Sequence, residues 1–211
     1  MLEPPAAAVL VEAFANTVDV ELASDEIADP EGLAAWLTGR GLLAAPDEPP
    51  GGTPDEAPGE APDETAGKRP GRAPGGIPAR IPAEVHAGYL ALRAGIREEL
   101  GAHVGDTPDP ELLAAADRVL AGHPVLITAG GALVPAPGLS PERGPLAALA
   151  IAWSGLVATG DAARLKRCAE HTCGWAFWDM SKNRSRRWCS MRVCGNRNKS
   201  RSYASRQRGP A

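Results

Sequence analysis

No apolar run in this 211-residue chain reaches the roughly 18 residues needed to cross a bilayer, which excludes a helical membrane span. The opening, MLEPPAAAVLVEAFANTVDVE, has no basic stretch ahead of its apolar residues and no clean cleavage site, so no secretory signal is expected. Catalytic signatures are missing too. HExxH, GxSxG, a P-loop and GxGxxG are all absent, and the expectation is a protein that is not an enzyme. Cysteine is scarce: there are four, and none precedes position 168. These absences point to a cytoplasmic chain, where thiols stay reduced, so the four read as metal ligands, with two local disulfides as the alternative.

Cys168-x4-Cys173 and Cys189-x4-Cys194 form two close pairs separated by 15 residues. Zinc takes four soft ligands at about 2.3 Å, and two short loops can each present two. Cys168, Cys173, Cys189 and Cys194 are therefore the expected zinc ligands. Four thiolates leave no open coordination position, so the Zn2+ is expected to hold the fold. His171 lies between the first two cysteines, but the shell is complete without it. His86, His103 and His123 are scattered and read as caps or surface residues.

Charge is divided as sharply as cysteine. Residues 164–211 hold 13 Lys and Arg against Glu170 and Asp179, a net of +11. The other 163 residues hold the remaining nine basic and 24 acidic side chains, a net of −15. An acidic body joined to a basic segment points to a polyanion as the partner of the basic half.

Residues 46–82 hold ten prolines, frequent glycines and almost no large apolar side chains, and read as a disordered insertion. Before it, residues 6–18 read as a helix with Leu10, Phe14 and Val18 on one face. Asp29 can cap a second helix, with Pro30 at its first position and Leu33, Trp36 and Leu37 at helical spacing, ending at Gly39 or Gly41. After it, Val85, Tyr89, Leu92, Ile96 and Leu100 follow helical spacing. Asp109-Pro110 opens another helix closed by Gly122. Residues 125–128 and 132–134 read as a hairpin turning on Gly130-Gly131. Ser140-Pro141 begins a long apolar helix that stops near Gly160. The fold class is thus mainly α: a helical N-terminal domain over 1–163 with one small β-hairpin, then a four-cysteine module with a basic helix over 164–211. The body should pack as one unit, since neither side of the insertion has enough helices to bury its own apolar faces.

In the module, Trp175, Phe177 and Trp178 read as a short strand after the first cysteine pair. Trp175 and Phe177 suit a miniature core, and Trp178 and Trp188 could also stack on a nucleic-acid base. Asp179 sits among cations, where it could hold Arg186 or Arg187 or cap the loop from Ser181. Asn196 reads as an N-cap. The helix after it would place Arg197, Arg201 and Arg208 near one face, flanked by Lys199 and Arg206. Arg184, Arg186 and Arg187 come from the preceding loop. Basic side chains beside a zinc knuckle suit phosphate contact.

The residues Arg164-Leu165-Lys166-x-Cys168, Cys173-x-Trp175-x-Phe177-x-Asp179, Ser185-Arg186-Arg187-Trp188-Cys189-Ser190-Met191 and Cys194-Gly195-Asn196-Arg197 resemble the CGNR zinc-finger family over about 45 residues. Phe14-x-Asn16-Thr17-Val18 and Leu33-x-x-Trp36-Leu37 are similar to its usual companion, the ABATE domain. The resemblance implies a bacterial, stress-induced transcription regulator that binds double-stranded DNA, with the same four cysteines on zinc. Arg184, Arg186, Arg187, Asn196, Arg197, Lys199, Arg201 and Arg208 are the candidate nucleic-acid contacts. RNA binding and a zinc-stabilised protein-interaction module stand as alternatives. A homodimer through the helix at 146–157 and a small-molecule effector on the body are both compatible with the sequence.

Overall fold

The computed structural model describes residues 3–43 and 81–207. The body begins with α1 (Ala6–Ala15) and a two-stranded hairpin, β1 (Val18–Asp19) and β2 (Ser24–Asp25), registered Val18 to Asp25. It continues through α2 (Pro30–Gly39), α3 (Ala83–Ala102) and α4 (Pro110–Ala121). A second hairpin, β3 (Val125–Ile127) and β4 (Leu133–Pro135), precedes α5 (Gly144–Thr159). Then come β5 (Leu165–Arg167), β6 (Ala176–Trp178) and α6 (Asn196–Gln207).

The helix signals in the sequence act as expected at three ends. Asp29 accepts the Gly32 amide at the start of α2, Asp109 accepts those of Glu111 and Leu112 at the start of α4, and each is followed by proline. Gly160, at φ +72°, closes α5 in the left-handed conformation that glycine adopts without strain. Other ends differ. α1 stops at Ala15, so Val18 stands in β1 and not on the helix face. Residues 140–143 form a separate turn, with α5 starting only at Gly144. The β1–β2 hairpin was not expected at all. The insertion expected over 46–82 lies, up to residue 80, outside the described residues; Ile81 is buried and Pro82 sits at the N-cap of α3.

One core joins both sides of the insertion. Phe14 of α1 meets Trp36 of α2 with ring centroids 5.7 Å apart and Tyr89 of α3 edge-on at 6.4 Å. Leu33, Leu37, Leu92, Leu100, Leu146 and Leu149 complete the same cluster. α5 supplies core through Leu146, Leu149 and Leu156. Two arginines of α3 point inward beside the apolar stripe. Arg93 grips Asp25 with two bonds of 2.6 Å and also donates to Thr17, fastening the β1–β2 hairpin to α3. That contact, ahead of the opposing effect of burial, holds the Asp25 carboxyl below its usual range.

The core continues into the C-terminal segment. Leu165, Ala176 and Trp178 belong to the body's cluster, whereas Cys168, Cys173, Cys194 and Phe177 form a second, smaller one, with Trp188 and Cys189 packed on it. The β5–β6 hairpin is therefore shared: one set of its residues faces the helical body and the other covers the cysteines.

Candidate metal centre and basic surface

Two turns bring the cysteines together. Cys168 follows β5 directly, and its amide donates to the Trp175 carbonyl, extending the ladder past the strands. The chain then folds back so that the amides of Cys173 and Gly174 both donate to the Glu170 carbonyl, with Gly174 at φ +58°. The second pair is built on a single π turn over Met191–Gly195, capped by the Ser190 hydroxyl, which accepts from the Val193 amide. A bond from the Ala169 amide to the Arg187 carbonyl, 2.8 Å, ties the first turn to the second.

The four Sγ atoms all lie within 4.8 Å of one another. Cys173 to Cys189 and Cys189 to Cys194 are each 3.7 Å. A tetrahedron with ligands about 2.3 Å from its centre has edges of about 3.8 Å, whereas a disulfide needs about 2.05 Å. The spacing fits a shared metal and not bonded pairs. Burial, with neighbouring thiols, pushes the Cys189 thiol up, and burial first also pushes Cys194 up, to about 11. Both shifts disfavour the thiolates of Cys189 and Cys194, and a bound cation would offset that cost. A borderline-soft, tetrahedral ion such as zinc suits this donor set.

The residues around the cluster are tied down in turn. Asp179, fully buried, accepts from Lys166 Nζ at 2.8 Å, from the Ser181 amide at 2.8 Å and from the Arg186 amide at 2.9 Å. Burial pushes its carboxyl up, but these donors outweigh that and hold it at about 2. Asp179 thus caps the loop from Ser181 and fixes Arg186 through its backbone. The Arg186 guanidinium turns inward instead, donating to the Cys189 carbonyl at 2.6 Å with its centre 5.0 Å from the Phe177 ring. Lys166 also donates to the carbonyls of Arg184 and Arg186.

The other candidate contacts separate into held and open. Arg184 and Arg187 are exposed in the loop, Arg184 at φ +52° with one bond to the Gly160 carbonyl. Arg197 pairs with Glu21 of the body at 2.8 Å. Arg201 reaches the fully buried Glu170 carboxylate, which also accepts from the Thr172 hydroxyl. Lys199 is exposed. Asn196 is not an N-cap: it already has helical angles, its amide bonds the Arg192 carbonyl, and Ser190 does the capping one turn earlier. Arg208 lies outside the described residues. His171 is exposed and stands apart from the thiols.

Two aromatic expectations change. Trp178 is 8% exposed in the body's core, so it offers no face to a base, and Trp175 is exposed and not core. The strand is Ala176–Trp178, paired with a partner, β5, that no sequence signal announced. Sequence reasoning also missed exposed Arg192, although its place between Cys189 and Cys194 marked it. It missed the body's grip on the module altogether. Asn16 bonds both backbone groups of Ala176, and buried Arg97 bridges the carbonyls of Ala15 and Gly174 at 2.6 and 2.9 Å. His103 bonds the Leu165 carbonyl at 2.7 Å, and Arg167 meets Glu98 at 2.7 Å and Asp106 at 3.2 Å.

The ABATE family model, described as "Putative stress-induced transcription regulator", matches residues 8–160, and the CGNR zinc finger model matches residues 164–207. No curated protein matches the chain.

Proposed function

The chain belongs to the ABATE family and carries a CGNR zinc finger, and on that premise we propose that it regulates transcription by binding duplex DNA through the basic surface of its zinc module. The observation that carries this reading is α6. Its sequence, NRNKSRSYASRQ, has no apolar stripe, and Arg197, Lys199, Arg201 and Arg206 are exposed along it. A helix that is polar all round contributes little burial to the fold, and a cationic one anchored at its N-terminal end to a rigid metal knuckle suits a phosphate backbone.

Cys168, Cys173, Cys189 and Cys194 would hold the zinc, which would fix the two turns from which the basic side chains project. Arg187, Arg184 and Arg192 meet phosphates from the loops, and Arg197 and Lys199 meet them from α6. Asn196, exposed at the first helical position, then reads a base edge in the major groove. Arg186, Lys166 and Asp179 hold the loop in shape. Burial of Trp178 takes away one stacking surface while Trp175 stays exposed, so the preference for a duplex rests on the cationic helix.

A gel-shift assay on the zinc-loaded protein with duplex DNA tests the reading. Binding should vanish on chelation and return with zinc, and an Arg187→Ala, Arg192→Ala double variant should weaken it by about tenfold or more while keeping its zinc. Binding that survives both treatments unchanged would contradict the proposal.

A further inference from the structure

An open groove of about 1100 Å³ runs between the β1–β2 turn of the body, the first cysteine turn and α6. Glu21, His171, Thr172, Arg192, Arg197 and Arg201 line it. Three guanidiniums on one groove wall make it a place for an anionic chain, and the carboxylates beside them divide their roles. Glu170 is buried behind Arg201 and belongs to the module itself, so that pair is part of the knuckle. Glu21 comes from the body, 176 residues earlier in the chain, and its contact with Arg197 is exposed on both sides, 43% and 47%. Exposed pairs of this kind contribute little to stability and exchange partners readily.

We propose that this groove is the track for one DNA strand, and that Glu21 occupies the place of a phosphate on Arg197 until DNA arrives. The inference rests on the DNA-binding reading above and adds two things to it. The ABATE body forms one wall of the nucleic-acid surface, and Glu21 is a competitor carboxylate that sets affinity. Arg192, on the same groove, has no carboxylate partner among the described residues and makes the first contact. Arg197 follows by exchanging Glu21 for phosphate, a like-for-like replacement of one oxyanion by another. Because the released Glu21 then stands beside a polyanion, it opposes binding twice, by holding Arg197 and by repelling the strand.

The test is a titration of the zinc-loaded full chain against a short labelled duplex at low and moderate salt, with Glu21→Gln, Arg197→Gln and the double variant. Glu21→Gln should tighten binding by about three- to tenfold at low salt, and less at moderate salt, with zinc content unchanged. In the Arg197→Gln background the same substitution should gain less than about twofold, since the coupling is then gone. If wild type binds DNA but Glu21→Gln matches it, or gains as much without Arg197, the groove assignment is overturned while the DNA-binding reading stands. If no variant binds DNA, both fall together.

Discussion

Asn16 and Ala176 stand 160 residues apart and meet as if they were neighbours in a sheet. The Asn16 Oδ1 accepts from the Ala176 amide at 2.7 Å, and its Nδ2 donates to the Ala176 carbonyl at 2.9 Å. A side-chain amide thus does for the outer edge of β6 what another strand would do, and it does so in a buried site. Through this contact the end of α1 reads the position of the hairpin that carries the first two cysteines. Arg97, bridging Ala15 to Gly174, makes a second such link alongside it. Its own pKa is pulled down to about 10, by burial first and then by Arg167 and Arg93.

Replacing Asn16 by Leu should orphan a buried amide and a buried carbonyl together. The expected cost is about 2–5 kcal/mol in urea unfolding of the zinc-loaded protein. A loss below about 0.5 kcal/mol would show that the body does not clamp the hairpin.

Cys168→Ser should abolish stoichiometric zinc, measured by elemental analysis as one ion per chain in wild type and near none in the variant. The damage should reach the body, because Leu165 and Trp178 flank the cysteine turn and sit in the body's core. Chelation should accordingly lower the melting temperature of the helical signal. An unchanged melt would mean that the two parts fold independently.

Asp179 provides a pH prediction. Its folded-state pKa, about 2, lies below the ordinary carboxylate value of 3.8. A depressed acid contributes stability that is complete above its unfolded value and lost as pH falls through the folded one. The loss should therefore develop between about pH 4 and pH 2 and amount to about 2 kcal/mol. Asp179→Asn should remove that component of the acid unfolding profile and leave the Lys166 ammonium buried without its carboxylate. A profile identical to wild type would contradict the assignment.

Two glycine substitutions of opposite sign probe the helix packing. A Cβ at Gly95 of α3 would collide with that of Ala116 on α4, whereas one at Gly155 of α5 would meet nothing within 4 Å. Gly95→Ala should destabilise by about 1–3 kcal/mol despite its better helix propensity, and Gly155→Ala should stabilise by about 0.5–1 kcal/mol. Thermal melts of the two variants decide it; shifts of the same sign would show that α3 and α4 do not pack this closely.

Local chemistry was legible and long-range pairing was not. Asp29, Asp109 and Gly160 announced helix ends because a cap is a contact between near neighbours. The thiolate cluster was legible because zinc demands a fixed number of one residue type. By contrast, Arg93 and Arg97 lie one position past the apolar stripe of α3, where a charge ordinarily faces water. Their partners, Asp25, Ala15 and Gly174, come from distant segments that nothing local marks. The same holds for Asn16 and for β5, a three-residue strand written Leu-Lys-Arg whose lysine is buried on Asp179. Among the basic residues, composition announced the cations but could not sort them. Arg186 and Arg201 hold the module together, Arg197 is lent to Glu21, and Arg187, Arg192 and Lys199 face outward.

Duplex recognition by the basic surface is tested by a salt titration of the zinc-loaded chain against duplex DNA, single-stranded DNA and structured RNA. The duplex should bind tightest. Its affinity should fall with a log–log slope of roughly −4 to −5, as expected for contacts from Arg184, Arg187, Arg192, Arg197 and Lys199. Equal affinity for all three, tighter binding of RNA, or affinity indifferent to salt would contradict it.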